Sequence, residues 1–143
     1  MSELKDTNPK DAIGVAKMPL STVSGPVLGE LGLAMMEGAL KYGRHNYRVS
    51  GVRASVYYDA ALRHLLDFYE GQDIDPASGL PHIVKVMACM AVLRDSQIQG
   101  NWVDDRPPKS PDGWMDELNA KAKALLEKYP DPVPAYLEII DES

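Results

Sequence analysis

A single cysteine, Cys89, stands in the 143 residues, so no disulfide can close within the chain. Its place among apolar neighbours suits a small core residue in a reducing compartment. Basic excess is also missing. Lysine and arginine number 15 against 21 aspartates and glutamates, a net charge of −6, which disfavours non-specific nucleic-acid binding. An anionic ligand must then be met by local cations or a metal ion, because the overall field repels it. No apolar run approaches the ~20 residues that span a bilayer. The polar opening MSELKDTNPKDAIG has no signal-peptide core, so a cytoplasmic location is expected. There is no glycine-rich phosphate loop, which sets aside P-loop and dinucleotide-binding folds. No His-Asp dipeptide occurs, which excludes an HD-type phosphohydrolase, and the long acidic signature of Nudix enzymes is absent. The β-branched residues never alternate over a useful length, so no strand is expected.

What remains is an ordinary globular composition, 45% hydrophobic and 25% charged, long enough for one core. Residues 1–25, broken by Pro9, Gly14, Pro19 and Gly25, are expected to form an irregular arm. Residues 26–100 carry three helical patterns. The first runs from Val27 to Tyr42, with Ser24 or Gly25 as cap, Pro26 in its first turn and Gly43 as its stop. A basic loop, GRHNYRVSGVRA, follows over residues 43–54. The second helix covers about Ser55 to Glu70. After the turn QDIDPASG, a third begins with Ser78 or Gly79 as cap, holds Pro81 in its first turn and runs to about Gln97. Residues 101–143 read as a proline-rich linker, a separate amphipathic helix over Trp114–Lys128 and a tail. The expected class is all-α, with the three central helices packed as an antiparallel bundle.

That packing predicts a polar cluster at one end of the bundle, made of Glu30, Asp67, Glu70, Asp75 and His82. Glu30, Glu37 and Lys41 share one helical face, and small Ala34 leaves room between the glutamates. His64, Asp67 and Glu70 follow at successive i, i+3 steps. Charge on an apolar helix is costly unless it is paired or bound to metal. Carboxylates with water suit Mg²⁺ or Mn²⁺, and an added imidazole is compatible with Mn²⁺. A plainer account exists for each residue. The glutamates can be solvated, Asp75 a turn residue, His82 a satisfied helix-start histidine, His64 a core histidine and Arg63 a snorkelling side chain.

The segments NPKDAIGVAKMPL (8–20), EGALKYGRHNYR (37–48), YYDAALRHLLDFYEGQDIDPASGLPHI (57–83) and GNWVDDRPP (100–108) together resemble the phage dATP/dGTP diphosphohydrolase-type domain, related to the all-α MazG-like nucleotide pyrophosphohydrolases. The ordered combination KYG…N[YW]R, RHL, DxxSGLxH is far more specific than any one element. The resemblance implies an all-α homodimer or homotetramer that cleaves a (deoxy)nucleoside triphosphate, dGTP or dATP, to the monophosphate and pyrophosphate with Mg²⁺ or Mn²⁺. By position it implies nucleotide contacts from Lys41, Tyr42, Asn46, Arg63 and His82. Glu30, Glu37, Asp67, Glu70 and Asp75 are the expected metal ligands, and Glu30, Asp67 and His64 the expected catalytic groups. The chain departs from the MazG pattern of EExxE followed by ExxD. Glu30 and Glu37 are seven apart, the second helix offers His64-x-x-Asp67-x-x-Glu70, and Gln72 stands where relatives often carry glutamate.

Two non-enzymatic readings compete. The same helices can bind a nucleotide or nucleotide-derived signal without turnover, or serve as an oligomerisation module. A binder needs the cations but not the acidic cluster. Association between copies is expected from the helix at 27–42, apolar nearly all round, and from the helix at 114–128. No nucleic-acid or membrane partner is expected.

Overall fold

Helical periodicity and the proline and glycine stops set most of the element boundaries. The computed structural model describes residues 8–138. In order it contains α1 (Pro9–Gly14), a 3₁₀ turn (Leu20–Thr22), α2 (Gly25–Tyr42), α3 (Asn46–Ser50), α4 (Ala54–Tyr69), α5 (His82–Gln99) and α6 (Trp114–Lys128). Among the described residues the only β pairings are two isolated bridges, Arg53 with Val103 and Ile74 with Pro81. The chain is all-helical, and none of its described helices is long and apolar enough to cross a membrane.

Three expectations are corrected. The arm over residues 1–25 is not wholly irregular. Asn8 accepts a hydrogen bond from the Lys10 N–H and Pro9 occupies the first turn, which starts α1. (Residues 1–7 lie outside the described residues.) The basic loop contains the short helix α3, which follows His45 in a left-handed conformation at φ 68°. The third helix is preceded by Pro81 rather than by Ser78 or Gly79. Proline's missing N–H costs nothing there, because helix-start donors have no partner within the helix.

The chain divides into two units, one ending at Arg106 and the other beginning at Pro107. In the first, α5 is the common partner, packing on α4, on α2 and on α3. Its contact surface is made of small side chains. Ala34 of α2, Ala54 and Ala61 of α4, and Val84 and Val92 of α5 are buried, which lets helix axes approach closely. The second unit holds α6. Asp116 and Glu117 in its first turn and Lys128 in its last complement the helix dipole.

Residues 101–106 were expected to begin the linker, yet they are stitched back onto the first unit. The Val103 N–H donates to the Val52 carbonyl at 2.8 Å, and the Ala54 N–H to the Val103 carbonyl at 3.0 Å. Asp105 then caps α4 from fifty residues away, accepting from the Ser55 N–H at 2.8 Å and from the Ser55 hydroxyl. These hydrogen bonds hold the Asp105 carboxyl below its ordinary pKa. Asn101 donates to the Arg48 carbonyl at 2.7 Å, and Arg48 forms a two-pronged pair with Asp95 at 2.9 and 3.1 Å. The strap passes so near Gly51 that a Cβ there would lie 1.9 Å from the Asn101 carbonyl oxygen.

Gly51 also has φ 70° and ψ −177°, a conformation side chains avoid. Gly51→Ala is therefore expected to lower the thermal midpoint by about 10 °C, as a penalty of ~2 kcal/mol implies for a domain of this size. Calorimetry reads it directly. An unchanged midpoint shows that the strap is not held against residue 51.

Candidate functional site

The turn between α4 and α5 is built by its own polar side chains. Asp75 accepts from the Ala77 N–H at 3.1 Å and from the Ser78 hydroxyl at 2.8 Å. The Ser78 oxygen in turn accepts from the Leu80 N–H at 3.2 Å, and the Gly79 N–H donates to the Asp75 carbonyl at 2.7 Å. Burial pushes the Asp75 pKa up, but the hydrogen bonds from Ser78 and Ala77 outweigh it and hold the carboxyl low. Asp75 thus spends acceptor capacity on the turn itself.

What this turn delivers is His82, whose N–H donates to the Asp73 carbonyl at 2.9 Å. The side chain is buried at 1% exposure. Its Nε2 lies 2.7 Å from Gln72 Oε1 and its Nδ1 2.8 Å from Nδ1 of His64 on α4. Both ring nitrogens are taken, which corrects the expectation that His82 contacts a nucleotide. Gln72 was not expected at the site at all. His64 is half-buried, and burial is the main reason its pKa falls below the ordinary histidine value. Asp75 and Asp67 oppose that shift, while His82 and Lys85 add to it.

One helical step beyond His82 lies Lys85, a lone cation in the apolar run IVKVMACMAV. Lys85 Nζ pairs closely with Glu37 on α2, with side-chain exposures of 18% and 22%. Lys41 lies 3.9 Å from the same glutamate oxygen. Lys85 escaped the sequence reading because its run looks uniformly apolar. The detectable signal was its i, i+3 spacing from His82.

These three charged residues line a cavity of ≈ 440 Å³ with Tyr42, Asn46 and Tyr57. Arg44, His45 and Tyr47 also border it. Burial pushes up the pKa of Tyr57, and likewise that of Cys89 in the same wall, so both remain protonated at neutral pH. The volume suits a small molecule. Two lysines and an arginine offer charge to phosphate oxygens, and the tyrosine rings offer flat faces to a base.

The expected acidic residues are more dispersed. The start of α5 meets α2 at Glu37, whereas Glu30 lies two turns earlier, ~10 Å along the helix. Asp67 is exposed on α4, Glu70 is exposed just beyond its last residue, and Arg63 is exposed beside His64. Among the described residues, no three histidine, cysteine, aspartate or glutamate side chains form a group able to hold a metal ion.

A family model described as dATP/dGTP diphosphohydrolase, N-terminal, matches residues 7–106. Searches of curated proteins and of solved structures return no match. The matched span ends where the first structural unit ends.

The Lys85–Glu37 pair joins α5 to α2 with little water around it. Lys85→Met leaves Glu37 poorly neutralised and is expected to cost about 1–3 kcal/mol. The double variant Glu37→Gln, Lys85→Met is expected to recover at least half of that. Urea unfolding of the four proteins checks both statements, and additive effects refute the coupling.

Proposed function

Because the chain belongs to the dATP/dGTP diphosphohydrolase N-terminal family, we propose that it hydrolyses a purine deoxynucleoside triphosphate to the monophosphate and pyrophosphate. The observation that carries this reading is the cavity. Lys41, Lys85 and Arg44 supply cations to a triphosphate, and Tyr42, Tyr57 and Asn46 supply stacking and hydrogen bonds to a base.

Mg²⁺ or Mn²⁺ belongs to the reading, and the donor set bears on how. The described residues of one chain form no three-ligand group. Mg²⁺ needs only one or two carboxylates when phosphate oxygens and waters complete its shell. Glu37, already at the cavity, fits that sparse requirement, with Glu30, Asp67, Glu70 and Asp75 as further carboxylates. Held there, such an ion would supply positive charge against the departing pyrophosphate. The chain's own residues do the rest. Lys85 exchanges Glu37 for a phosphate oxygen, Lys41 and Arg44 hold the remaining phosphates, and Arg63 reaches them from α4. His64, with Asp67 and Glu30 as carboxylate alternatives, orients and deprotonates the attacking water.

Association between copies is the companion proposal. Leu33, Met36 and Leu40 form an i, i+3, i+7 stripe on α2 at 48%, 54% and 79% exposure. Among the described residues the side chains actually buried are alanines and valines, plus His82 and Ser96. A dimer or tetramer covers such a stripe.

The same geometry gives a second reading some support. A cation-lined cavity without a three-ligand acidic group can hold a nucleotide without cleaving it. A panel of the eight common NTPs and dNTPs, with each metal, separates the two. Monophosphate and pyrophosphate from dGTP or dATP are expected, and their loss on chelation is expected too. Retention without turnover supports the binder, and neither outcome refutes both. Light scattering is expected to give two or four times 15.7 kDa, and a monomer refutes association.

A further inference from the structure

We propose that Gln72 and His82 are positioning residues that fix the tautomer of His64, leaving its Nε2 as the single protonatable nitrogen of the histidine pair. The argument is one of donors and acceptors. Gln72 Oε1 has no hydrogen, so at 2.7 Å the His82 Nε2 must donate to it. A neutral His82 then carries its lone pair on Nδ1. At 2.8 Å from that atom, His64 Nδ1 must hold a hydrogen and donate it. His64 Nε2 is thereby left bare.

Extra protons are directed by the geometry. A proton added to His64 Nε2 leaves both hydrogen bonds intact, whereas one added to His82 Nδ1 sets two N–H groups against each other. The pair therefore takes one proton, at one atom, on the more accessible ring. The rings sit 5.1 Å apart and tilted by 47°, an arrangement compatible with an in-plane N–H···N contact and not with stacking. The charged groups around His64 are Asp67 on its own helix, Asp75 in the turn, and His82 and Lys85 on α5. Lys85, one helical step from His82, lines the cavity.

This inference rests on the diphosphohydrolase reading for its catalytic consequence. His64 Nε2 accepts a proton from the attacking water as the water oxygen bonds to phosphorus. The bond from that phosphorus to the bridging oxygen breaks, and its electron pair leaves with pyrophosphate. The proton then passes from Nε2 to solvent. Protonation of His64 beforehand blocks the step. Activity is therefore lost on the acid side, with a midpoint below the ordinary histidine value of 6.5.

The test uses the full chain labelled with ¹⁵N at histidine, observed by long-range ¹H–¹⁵N NMR at pH 7.5, with kinetics on the same samples. His64 is expected as the Nδ1–H tautomer and His82 as the Nε2–H tautomer. The opposite assignment overturns the proposal, whether or not any nucleotide is cleaved. Gln72→Glu, whose carboxylate oxygen accepts as Gln72 Oε1 does, is expected to keep both tautomers and move the acid limb to higher pH. Gln72→Leu is expected to mix the His64 tautomers and lower kcat by roughly tenfold with KM within about twofold. Wild-type tautomers in Gln72→Leu refute the positioning role. Absence of turnover in the wild type refutes the diphosphohydrolase reading and leaves the tautomer result standing on its own.

Discussion

A lysine placed where little water reaches it must find a carboxylate, and Lys85 finds Glu37. That pairing decides which part of α2 lies against the start of α5. It brings the C-terminal turns of α2, with Lys41 and Tyr42, to the wall of the cavity. It leaves Glu30 two turns away. It also places two lysines at the cavity, Lys85 and Lys41, on the same glutamate oxygen. The acidic sum of the chain makes this local inversion of charge the more informative.

The segment DxxSGLxH serves a second purpose at the start of α5, on the face that also carries Lys85. Its aspartate and serine close a turn, its proline precedes α5, and its histidine is driven into the interior, where Gln72 and His64 meet it. A stretch that reads like a ligand-binding signature is therefore architecture first. Its histidine ends in contact with His64, on a different helix. Lys85 and His82 sit one helical step apart on α5, so the ion pair and the histidine pair are neighbours on one rigid element.

The helices were largely legible. Proline and glycine placed both ends of α2, periodicity gave α4 within a residue at each end, and α6 was read at its observed limits, Trp114 and Lys128. Misreadings came where side chains outside a helix decided its start. Pro81 rather than Ser78 precedes α5, because Ser78 is already committed to Asp75 and Leu80. The helix α3 was hidden by its charge and by His45 at positive φ. Local pattern carries no trace of Asp105 capping α4 from fifty residues away. Lys41, Tyr42 and Asn46 stood out through their motif and share a cavity. Lys85 stayed unread because an isolated lysine in an apolar run advertises nothing until its partner is in place. Gln72 stood out only as a departure from the family's glutamate, with no hint of its contact to His82.

The strap over residues 101–106 has a consequence for how the molecule comes into being. Synthesis proceeds from the N-terminus, so Ser55 leaves the ribosome fifty residues before the aspartate that caps its helix. Until then α4 starts uncapped, and the loop carrying Arg44 and Asn46 has no backing from Asn101 or Val103. A nascent chain holds every residue that lines the cavity well before it can hold them in place. The hydrogen bonds that back the cavity loop thus form only when the last few residues of the first unit emerge and fold back.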